Sequence, residues 1–365
     1  MRVLVVNAGS SSLKLTRLDG DGALASAVTV DGWEGEGHLE PLAEFLRDAG
    51  PVDAVGHRVV HGGPRHPGPA VVDDDLIAYL GAISHLAPLH NPRALAGIGS
   101  VRELLPGVPA VAAFDTSFHA TLPPAAATYA LPRDWNERWG LRRYGFHGLS
   151  HAYATRRGAD LVGRPAAELR IVSCHLGAGA SLAAVLGGVS VDTTMGFTPL
   201  AGLVMNTRPG TVDPGLLLWL LEHGRVPEPE LSDVLERGAG LKGLSGTSGD
   251  LRDVLAGRAA GDRACRLAFD VYLHRLVRET AAMTAATGGL DLLVLTGGVG
   301  EHSWEVRAEL AAGLAHLGVG VDPDRNRAAT ADADIGIEGA AVRTVVVTAR
   351  EDLEIRRQVL GLLGT

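Results

Sequence analysis

A strand, a loop of small residues and a second strand follow one another near the start of this sequence and again close to its middle. In the first copy, the apolar residues 3–6 run into the small polar residues 7–12, and an apolar pattern then resumes. In the second copy, residues 171–174 run into the Gly- and Ala-rich residues 175–181 before another apolar stretch. Short apolar runs bounded by Gly and Ser predict buried strands joined by a turn. Because the same unit opens each half of the chain, we predict an internal duplication.

Length and composition limit the classes of protein to consider. A chain of 365 residues exceeds the size of one typical core, so we expect two domains. Its 46% apolar and 21% charged residues are typical of a folded chain. The net charge of −9 argues against a broad nucleic-acid-binding face, although a local arginine cluster can still bind a small anion. The two cysteines exclude a disulfide framework and favour a cytoplasmic location, and no apolar run is long enough to predict a membrane partner.

A third glycine-rich stretch follows a helix and a strand in the second half. Apolar residues at helical spacing across 265–283 predict one buried stripe, which Gly288 ends. The apolar residues 290–296 then predict a strand, residues 297–300 a glycine loop, and residues from 301 onward a helix. Glycine turns after strands expose backbone N–H groups that can bind phosphate. None of the three loops matches a P-loop or a dinucleotide-binding pattern, so the sequence predicts phosphate binding of another kind.

Charged residues stand at the ends of predicted strands or inside them. Asp115 and Glu351 each come just after an apolar run, where a carboxylate can hold Mg²⁺ or cap a helix. Arg58 interrupts an apolar strand, so it needs a buried carboxylate or a phosphate. Arg208 lies in a Thr-Arg-Pro-Gly turn and is either a surface residue or a ligand residue. His147 is either a core histidine or a functional one, since no zinc-ligand spacing surrounds it.

Several longer motifs together resemble the acetate and propionate kinase family, over residues 3 to about 355. The motifs are Asn-Ala-Gly-Ser-Ser-Ser-Leu-Lys at 7–14, His-Arg-Val-Val-His-Gly-Gly at 57–63, Phe-Asp-Thr-Ser-Phe-His at 114–119, residues 144–151, His-Leu-Gly at 175–177, Thr-Gly-Gly at 296–298 and Gly-Glu at 300–301. The resemblance implies an α/β fold of two duplicated ribonuclease-H-like domains around a nucleotide cleft, as in sugar kinases, Hsp70 and actin. We expect residues 1–119 and 353–365 to form one domain and residues 120–352 the other.

The resemblance also implies an activity and a set of site residues. The activity is reversible transfer of the ATP γ-phosphoryl group to acetate, with Mg²⁺ or Mn²⁺, giving acetyl phosphate and ADP in a homodimer. The implied catalytic residues are Arg58, Asp115, His147 and Arg208, and acetate would contact Arg58, Val60, Leu89, Phe146 and Pro199. The implied metal residues are Asn7, Asp115 and Glu351. The implied nucleotide residues are Lys14, His175, Gly177, Ala178, Gly179, Asp250, Arg252, Gly297, Gly298, Val299 and His302.

Three departures from the family pattern fall on the nucleotide and phosphoryl side. The family has Asn where this chain has Ala178, Ser-Gly-Asp where Pro209 begins Pro-Gly-Thr, and Asn where His302 stands. They leave open weaker nucleotide binding, a donor such as pyrophosphate, or a nucleotide-binding homologue with reduced turnover. Propionate or another short carboxylate is an alternative acceptor, because one methylene changes binding by only about 1–3 kcal/mol. A filament-forming, actin-like protein has only the fold in its favour.

Overall fold

The computed structural model describes residues 1–9, 12–33 and 39–364. The strands are β1 (Val3–Ala8), β2 (Ser12–Leu18), β3 (Leu24–Asp31), β4 (Ala54–Val59), β5 (Ala70–Val71), β6 (Ala110–Phe114), β7 (Arg170–Leu176), β8 (Ala180–Leu186), β9 (Val189–Thr193), β10 (Leu292–Thr296), β11 (Ala333–Asp334) and β12 (Arg343–Val346). The helices are α1 (Leu39–Ala49), α2 (Asp74–Ala82), α3 (Asn91–Leu104), α4 (Pro124–Ala127), α5 (Arg133–Trp139), α6 (Gly148–Leu161), α7 (Pro214–Glu222), α8 (Glu228–Asp233), α9 (Gly240–Ser245), α10 (Leu251–Ala259), α11 (Arg263–Thr287), α12 (Gly297–His302), α13 (Trp304–Gly313), α14 (Pro323–Ala328) and α15 (Glu351–Leu363).

Two six-stranded sheets share one topology, with strand orders β3-β2-β1-β4-β6-β5 and β9-β8-β7-β10-β12-β11. In each sheet, three central strands are parallel, and a hairpin continues the sheet outward from the first of them. The two predicted hairpins are β1–β2 and β7–β8, and they occupy equivalent positions. The predicted duplication and the α/β fold class are therefore confirmed. The tip of the first hairpin, at Ser10 and Ser11, lies outside the described residues.

The chain divides into two compact units. Unit 1 comprises Met1–Ala120, Phe146–Tyr153 and Arg350–Thr365, and unit 2 comprises Thr121–Gly145 and Ala154–Ala349. This division differs from the predicted domain boundaries, since residues 146–153 and 350–352 pack with unit 1. No periodic pattern in the sequence marks these two short segments as part of the first half.

The core of unit 1 lies on both faces of its sheet. Side chains alternate along a strand, so Leu4 and Val6 face one apolar cluster while Val3 and Val5 face another. The second cluster includes Ile355 of α15. Gly56 makes this contact possible, because a Cβ there would lie 2.4 Å from Cγ2 of Ile355. The close approach of α15 to β4 sets the position of the residues that begin this helix.

In unit 2, helix α11 packs against strands β7 and β8. The side chain of Asp262 caps the N-terminus of α11, and Gly288 ends it in a left-handed conformation. The predicted apolar stripe is buried except at Leu273, which is half-buried. The glycine stretch after β10 was expected to be a loop followed by a helix from residue 301. That expectation is wrong: helix α12 already begins at Gly297. Within the part of the chain that the structure describes, no helix is both long and apolar enough to cross a membrane.

Candidate active site

A partly buried cluster of charged and polar side chains gathers at one edge of the unit 1 sheet. Asn7 lies near the end of β1, Arg58 near the end of β4, and Asp115 directly follows β6. These strands are parallel neighbours, and Asn7 is paired in register with Arg58. The carboxyl ends of adjacent parallel strands meet at one sheet edge, which is where ligands bind in α/β folds. The topology therefore brings together three residues that are far apart in sequence.

Arg58 is held in a fixed orientation by this cluster. Its Nε and Nη2 donate to the two carboxylate oxygens of Asp115 at 3.0 and 2.6 Å, and its Nη1 donates to Oδ1 of Asn7 at 3.1 Å. Nδ2 of Asn7 in turn donates to Oε2 of Glu351 at 3.3 Å, and that oxygen lies 3.7 Å from Nε of Arg58. Arg58 and Asp115 thus form a two-pronged ion pair, which provides the carboxylate that an arginine inside an apolar strand needs.

The electrostatics of the cluster keep the guanidinium charged. Burial lowers the pKa of Arg58, but the carboxylates of Asp115 and Glu351 outweigh this effect and raise it above the ordinary value. The Arg58 side chain is 17% exposed, and that of Asp115 is 2% exposed. Among the described residues, the hydrogen bonds that Arg58 donates to side chains use three of its five N–H groups. The remaining donors can bind a carboxylate or a phosphoryl oxygen.

His147 stands beside this cluster in a strained backbone conformation. Its φ of 55° lies in the left-handed region, where a non-glycine residue costs on the order of 1–3 kcal/mol. The next residue fixes it there: Gly148 donates its N–H to the Asp115 carbonyl at 2.8 Å, and a Cβ on Gly148 would lie 2.2 Å from that oxygen. His147 therefore directly precedes α6, whose first residue, Gly148, packs against the backbone of Asp115.

The residues implied for an acyl pocket in unit 1 show two levels of burial. Val60 is 7% exposed and Phe146 is 2% exposed, whereas Leu89 is 37% exposed. Val60 follows β4 two residues after Arg58, and the carbonyl of Phe146 contacts Nε2 of His119 at 3.0 Å. Val60 and Phe146 thus belong to the fixed core, while Leu89 presents its side chain at the surface.

The donor set of this cluster fits Mg²⁺. Magnesium binds oxygen ligands, usually one or two carboxylates together with substrate phosphates. Both carboxylate oxygens of Asp115 and the amide oxygen of Asn7 already accept from Arg58. Glu351, 17% exposed and the first residue of α15, is the carboxylate best able to take a cation. Among the described residues, no group of three or more His, Cys, Asp and Glu side chains is arranged to hold a metal ion.

In unit 2, Arg208 lies on a loop that folds back on itself. Its Nη1 donates to the Pro199 carbonyl at 3.0 Å, and its Nε lies 4.0 Å from Oε2 of Glu236. Burial lowers the pKa of Arg208, and Glu236 opposes this shift. The side chain is 21% exposed, so it is not an ordinary surface arginine. The structure thus brings the guanidinium of Arg208 and the backbone of Pro199 together.

Unit 2 also contains a cavity of about 700 Å³. Seven of the predicted nucleotide residues line it: Gly177, Ala178, Asp250, Arg252, Gly298, Val299 and His302. The lining does not include His175 of β7, Gly179 of the turn after β7 or Gly297, the first residue of α12. It also does not include Lys14, which is paired with Asn7 in unit 1. A cavity of this size suits a ligand as large as a nucleotide.

Sequence reasoning missed five residues of the lining: Asn206, Leu251, Leu255, Ser303 and Glu305. Leu251 and Leu255 could have been found from the predicted residues Asp250 and Arg252, because all four lie at the start of one helix. The side chain of Asp250 caps this helix, α10, by accepting from the N–H of Arg252 at 2.8 Å. That capping also shows a structural role for Asp250, whose pKa the side-chain hydrogen bond from Arg252 lowers to about 2. Asn206 lies two residues before Arg208, and no recognised pattern distinguished it.

The chain matches known proteins over nearly its whole length. The sequence profile described as the Acetokinase family matches residues 38–357. The acetate kinase of Synechococcus sp. (strain JA-2-3B'a(2-13)) is 43% identical over 402 aligned positions, which cover 100% of this chain and 99% of that protein. The acetate kinase of Geobacillus kaustophilus (strain HTA426) is 40% identical, with 99% of each chain covered. The 402 positions exceed this chain's 365 residues, so the first relative has segments that this chain lacks.

Solved structures give the same result. The Porphyromonas gingivalis acetate kinase has a TM-score of 0.92 and 33% sequence identity, with 99% of each chain covered. A propionate kinase from Francisella tularensis subsp. tularensis SCHU S4 has a TM-score of 0.90 and 31% identity, with 98% of each chain covered. The similarity therefore extends over both sheets and both units.

Proposed function

Because this chain belongs to the acetokinase family, we propose that it transfers the γ-phosphoryl group of ATP reversibly to acetate, giving acetyl phosphate and ADP. The observation that carries this proposal is the Arg58 cluster, in which Asp115 fixes a partly buried guanidinium that keeps two N–H donors for an anion. Relatives named acetate kinase at about 40% identity over the full chain support the same acceptor.

The chemistry demands charge neutralisation more than base catalysis. Acetate is already an anion at neutral pH, so no proton has to be removed from it. One carboxylate oxygen attacks the γ-phosphorus, the bond to the β–γ bridging oxygen breaks, and its electron pair leaves with ADP. We propose that Arg58 and Arg208 bind the acetate carboxylate and the transferring phosphoryl group, and that His147 hydrogen-bonds the latter. Each stabilises charge that spreads over the phosphoryl oxygens.

We assign the metal ion to the Glu351 side of the cluster. Glu351 would hold Mg²⁺ or Mn²⁺. Asn7 and Asp115 would fix the orientation of Arg58 next to the ion. When bound, the ion would neutralise part of the negative charge on the substrate phosphates. Asp115 thus acts mainly as the partner that fixes Arg58.

The acyl group of the acceptor is proposed to contact Val60, Leu89, Phe146 and Pro199. A methyl group and an ethyl group differ by one methylene, which such apolar walls distinguish by only about 10–200-fold. The Francisella propionate kinase, at a TM-score of 0.90, makes propionate the specific second candidate. We therefore propose acetate as the preferred acceptor and propionate as a slower one.

The donor is proposed to be ATP rather than pyrophosphate. The cavity of about 700 Å³ is lined both by the Gly177–Ala178 turn and by Asp250, Arg252 and Gly298, which a nucleoside would need and pyrophosphate would not. Ala178 and His302 line the same cavity, so two of the three family departures act on this ligand.

We further propose a homodimer located in the cytoplasm that supplies acetyl phosphate for acetyl-CoA synthesis. The support for self-association is an apolar helix, α7, whose Leu216, Leu218 and Trp219 are 47%, 58% and 53% exposed. A second apolar patch around α5 includes Trp135 and Trp139, at 46% and 51% exposed. Large exposed apolar patches are typical of protein interfaces. Cys174 and Cys265 are free and buried, as suits a reducing compartment.

The test is an acyl phosphate assay on the purified chain with Mg²⁺. ATP, GTP and pyrophosphate are each combined with acetate, propionate and butyrate, and the acyl phosphate is trapped with hydroxylamine. We expect the highest kcat/KM for ATP with acetate, and a lower value for propionate. Acyl phosphate formed with pyrophosphate but with neither ATP nor GTP would contradict the proposed donor. An absence of product from every pair would favour a nucleotide-binding homologue that has lost turnover.

A further inference from the structure

Asn206 lies in the wall of the nucleotide cavity, next to the residue at which this chain departs from its family. We infer that the side-chain amide of Asn206 donates a hydrogen bond to a phosphate oxygen of the bound nucleotide. It would thereby replace the Asn that the family resemblance implies at position 178, where this chain has Ala178. The inference rests on the proposed function for the identity of the ligand and adds a binding residue to that site.

The backbone of Asn206 is held at both of its polar groups. Its N–H donates to the Ala178 carbonyl at 3.2 Å, and its carbonyl accepts from the N–H of Lys242 at 2.9 Å. The loop that carries Arg208 is therefore bonded to the glycine turn after β7. Backbone N–H groups in such turns bind phosphate, so Asn206 is fixed beside the phosphate end of the cavity.

The side chain of Asn206 is available, whereas four other polar side chains of the lining are already paired. Asp250 and Arg252 pair with one another, and Ser303 caps α13 and bonds Glu305. For Asn206, the described part of the chain contains no side-chain hydrogen-bond partner, and the residue is half-buried in the lining. Ala178, which is exposed in the same wall, has only a methyl group. An amide has two N–H donors, and a phosphate oxygen is a strong acceptor.

The first test compares two ligands that differ only in their phosphates. Dissociation constants of ADP and of adenosine are measured by calorimetric titration for the wild type and for Asn206→Ala. A hydrogen bond to a charged group predicts ADP binding weakened by about tenfold, with adenosine binding unchanged. Thr207→Val is the matched control, since the Thr207 hydroxyl donates to the Glu236 carbonyl and the residue is outside the cavity lining. We expect this control to bind ADP like the wild type.

The second test moves the amide to position 178. Ala178→Asn should tighten ADP binding more in the Asn206→Ala background than in the wild type, because the two amides serve one phosphate. Unchanged ADP affinity in Asn206→Ala, equal loss for ADP and adenosine, or no recovery with Ala178→Asn would each overturn the inference. A wild type that binds neither ligand would instead overturn the proposed function, and the inference with it.

Discussion

At the scale of single residues, Arg58 is the side chain whose replacement is expected to cost most activity. Arg58→Ala should lower kcat/KM by about 10²–10³-fold, since one donor to a developing anion contributes that much in a water-excluded site. Arg58→Lys should restore little, because an ammonium cannot make the two-pronged bond that Asp115 accepts. Steady-state kinetics with ATP and acetate measure both effects.

Arg65→Ala provides the control for removing a positive charge from unit 1. Its ion pair with Asp75 is exposed, with the Arg65 side chain at 52%, and exposed pairs contribute little. We expect wild-type kinetics from this variant. Near-normal turnover in Arg58→Ala would show that Arg58 does not bind the reacting groups.

The sequence indicates that a residue needs a particular partner when its charge is unusual for its surroundings. An arginine inside an apolar strand requires a buried anion, and Asp115 provides it. Asn7 and Glu351 could not be brought together in the same way, because 344 positions separate them and only the packing of α15 joins them. Asn206 was missed because its role depends on a neighbouring loop and not on its own sequence context.

At the scale of elements, the start of α6 is the most constrained junction of unit 1. Gly148→Ala would place a methyl group 2.2 Å from the Asp115 carbonyl, so the backbone beside His147 and Asp115 must move. We expect a stability loss of about 1–3 kcal/mol from overpacking, together with reduced turnover. Urea unfolding and kinetics on the same preparation test this expectation.

Gly99→Ala in α3 is the matched control for this substitution. Apart from its chain neighbours and the backbone of α3 itself, no described heavy atom lies within 4 Å of a Cβ at Gly99, so alanine fits there without displacing a neighbour. Because alanine favours a helix over glycine by roughly 0.5–1 kcal/mol, this variant should be as stable as the wild type or more so. Equal stability of Gly148→Ala and Gly99→Ala would contradict the close contact at Asp115.

Elements with a strong period were predicted correctly, whereas the glycine-rich one was not. The α11 stripe and both hairpins follow directly from their apolar spacing. Helix α12 contradicts the low helix propensity of its glycines. Tertiary contacts compensate: the buried guanidinium of Arg307 donates to the carbonyls of Gly300 and Glu301 at 3.0 and 2.6 Å. No local pattern reveals that partnership.

At the scale of the whole molecule, two buried histidines should make the fold sensitive to acid. Burial lowers the pKa of His57 to about 3 and that of His61 to about 4, from 6.5. Below pH 6.5 the unfolded chain therefore binds protons that the folded chain does not, and stability falls as the pH falls from 6.5 toward 4. The expected slope is roughly 1.4 kcal/mol per pH unit for each histidine.

Unfolding by urea at pH 7.5, 6.0 and 5.0 measures this slope. His57→Gln should make the slope of the unfolding free energy against pH shallower, by the amount that corresponds to about one bound proton. His223→Gln replaces a side chain that is 62% exposed, and it should leave the slope unchanged. An identical slope in the wild type and in His57→Gln would show that His57 does not contribute to the acid sensitivity.

Self-association is the other prediction at this scale. Leu218 is 58% exposed on α7, and a buried carboxylate in an apolar interface is strongly unfavourable. Leu218→Glu should therefore convert the proposed dimer to monomers in sedimentation velocity experiments without unfolding the chain. A wild type that sediments as a monomer at micromolar concentration would refute the proposed dimer.

The overall architecture was predictable because the duplication is visible in the sequence, and the two sheets have the same topology. Two hairpins at residues 3 and 171 implied two related halves, and the two sheets have equivalent strand orders. The assignment of residues 146–153 to unit 1 was not predictable, because it depends on contacts with residues distant in sequence: Gly148 donates to the Asp115 carbonyl, and Leu149 packs in the apolar cluster that contains Ile355.

The most direct measurement is phosphorus NMR of the purified chain incubated with ATP, Mg²⁺ and acetate. The account predicts that acetyl phosphate and ADP form together and in equal amounts, and that ADP with acetyl phosphate regenerates ATP. Arg58→Ala and Arg208→Ala should each suppress both directions strongly. Formation of ADP with inorganic phosphate and no acetyl phosphate, or equal activity in the two variants and the wild type, would contradict it.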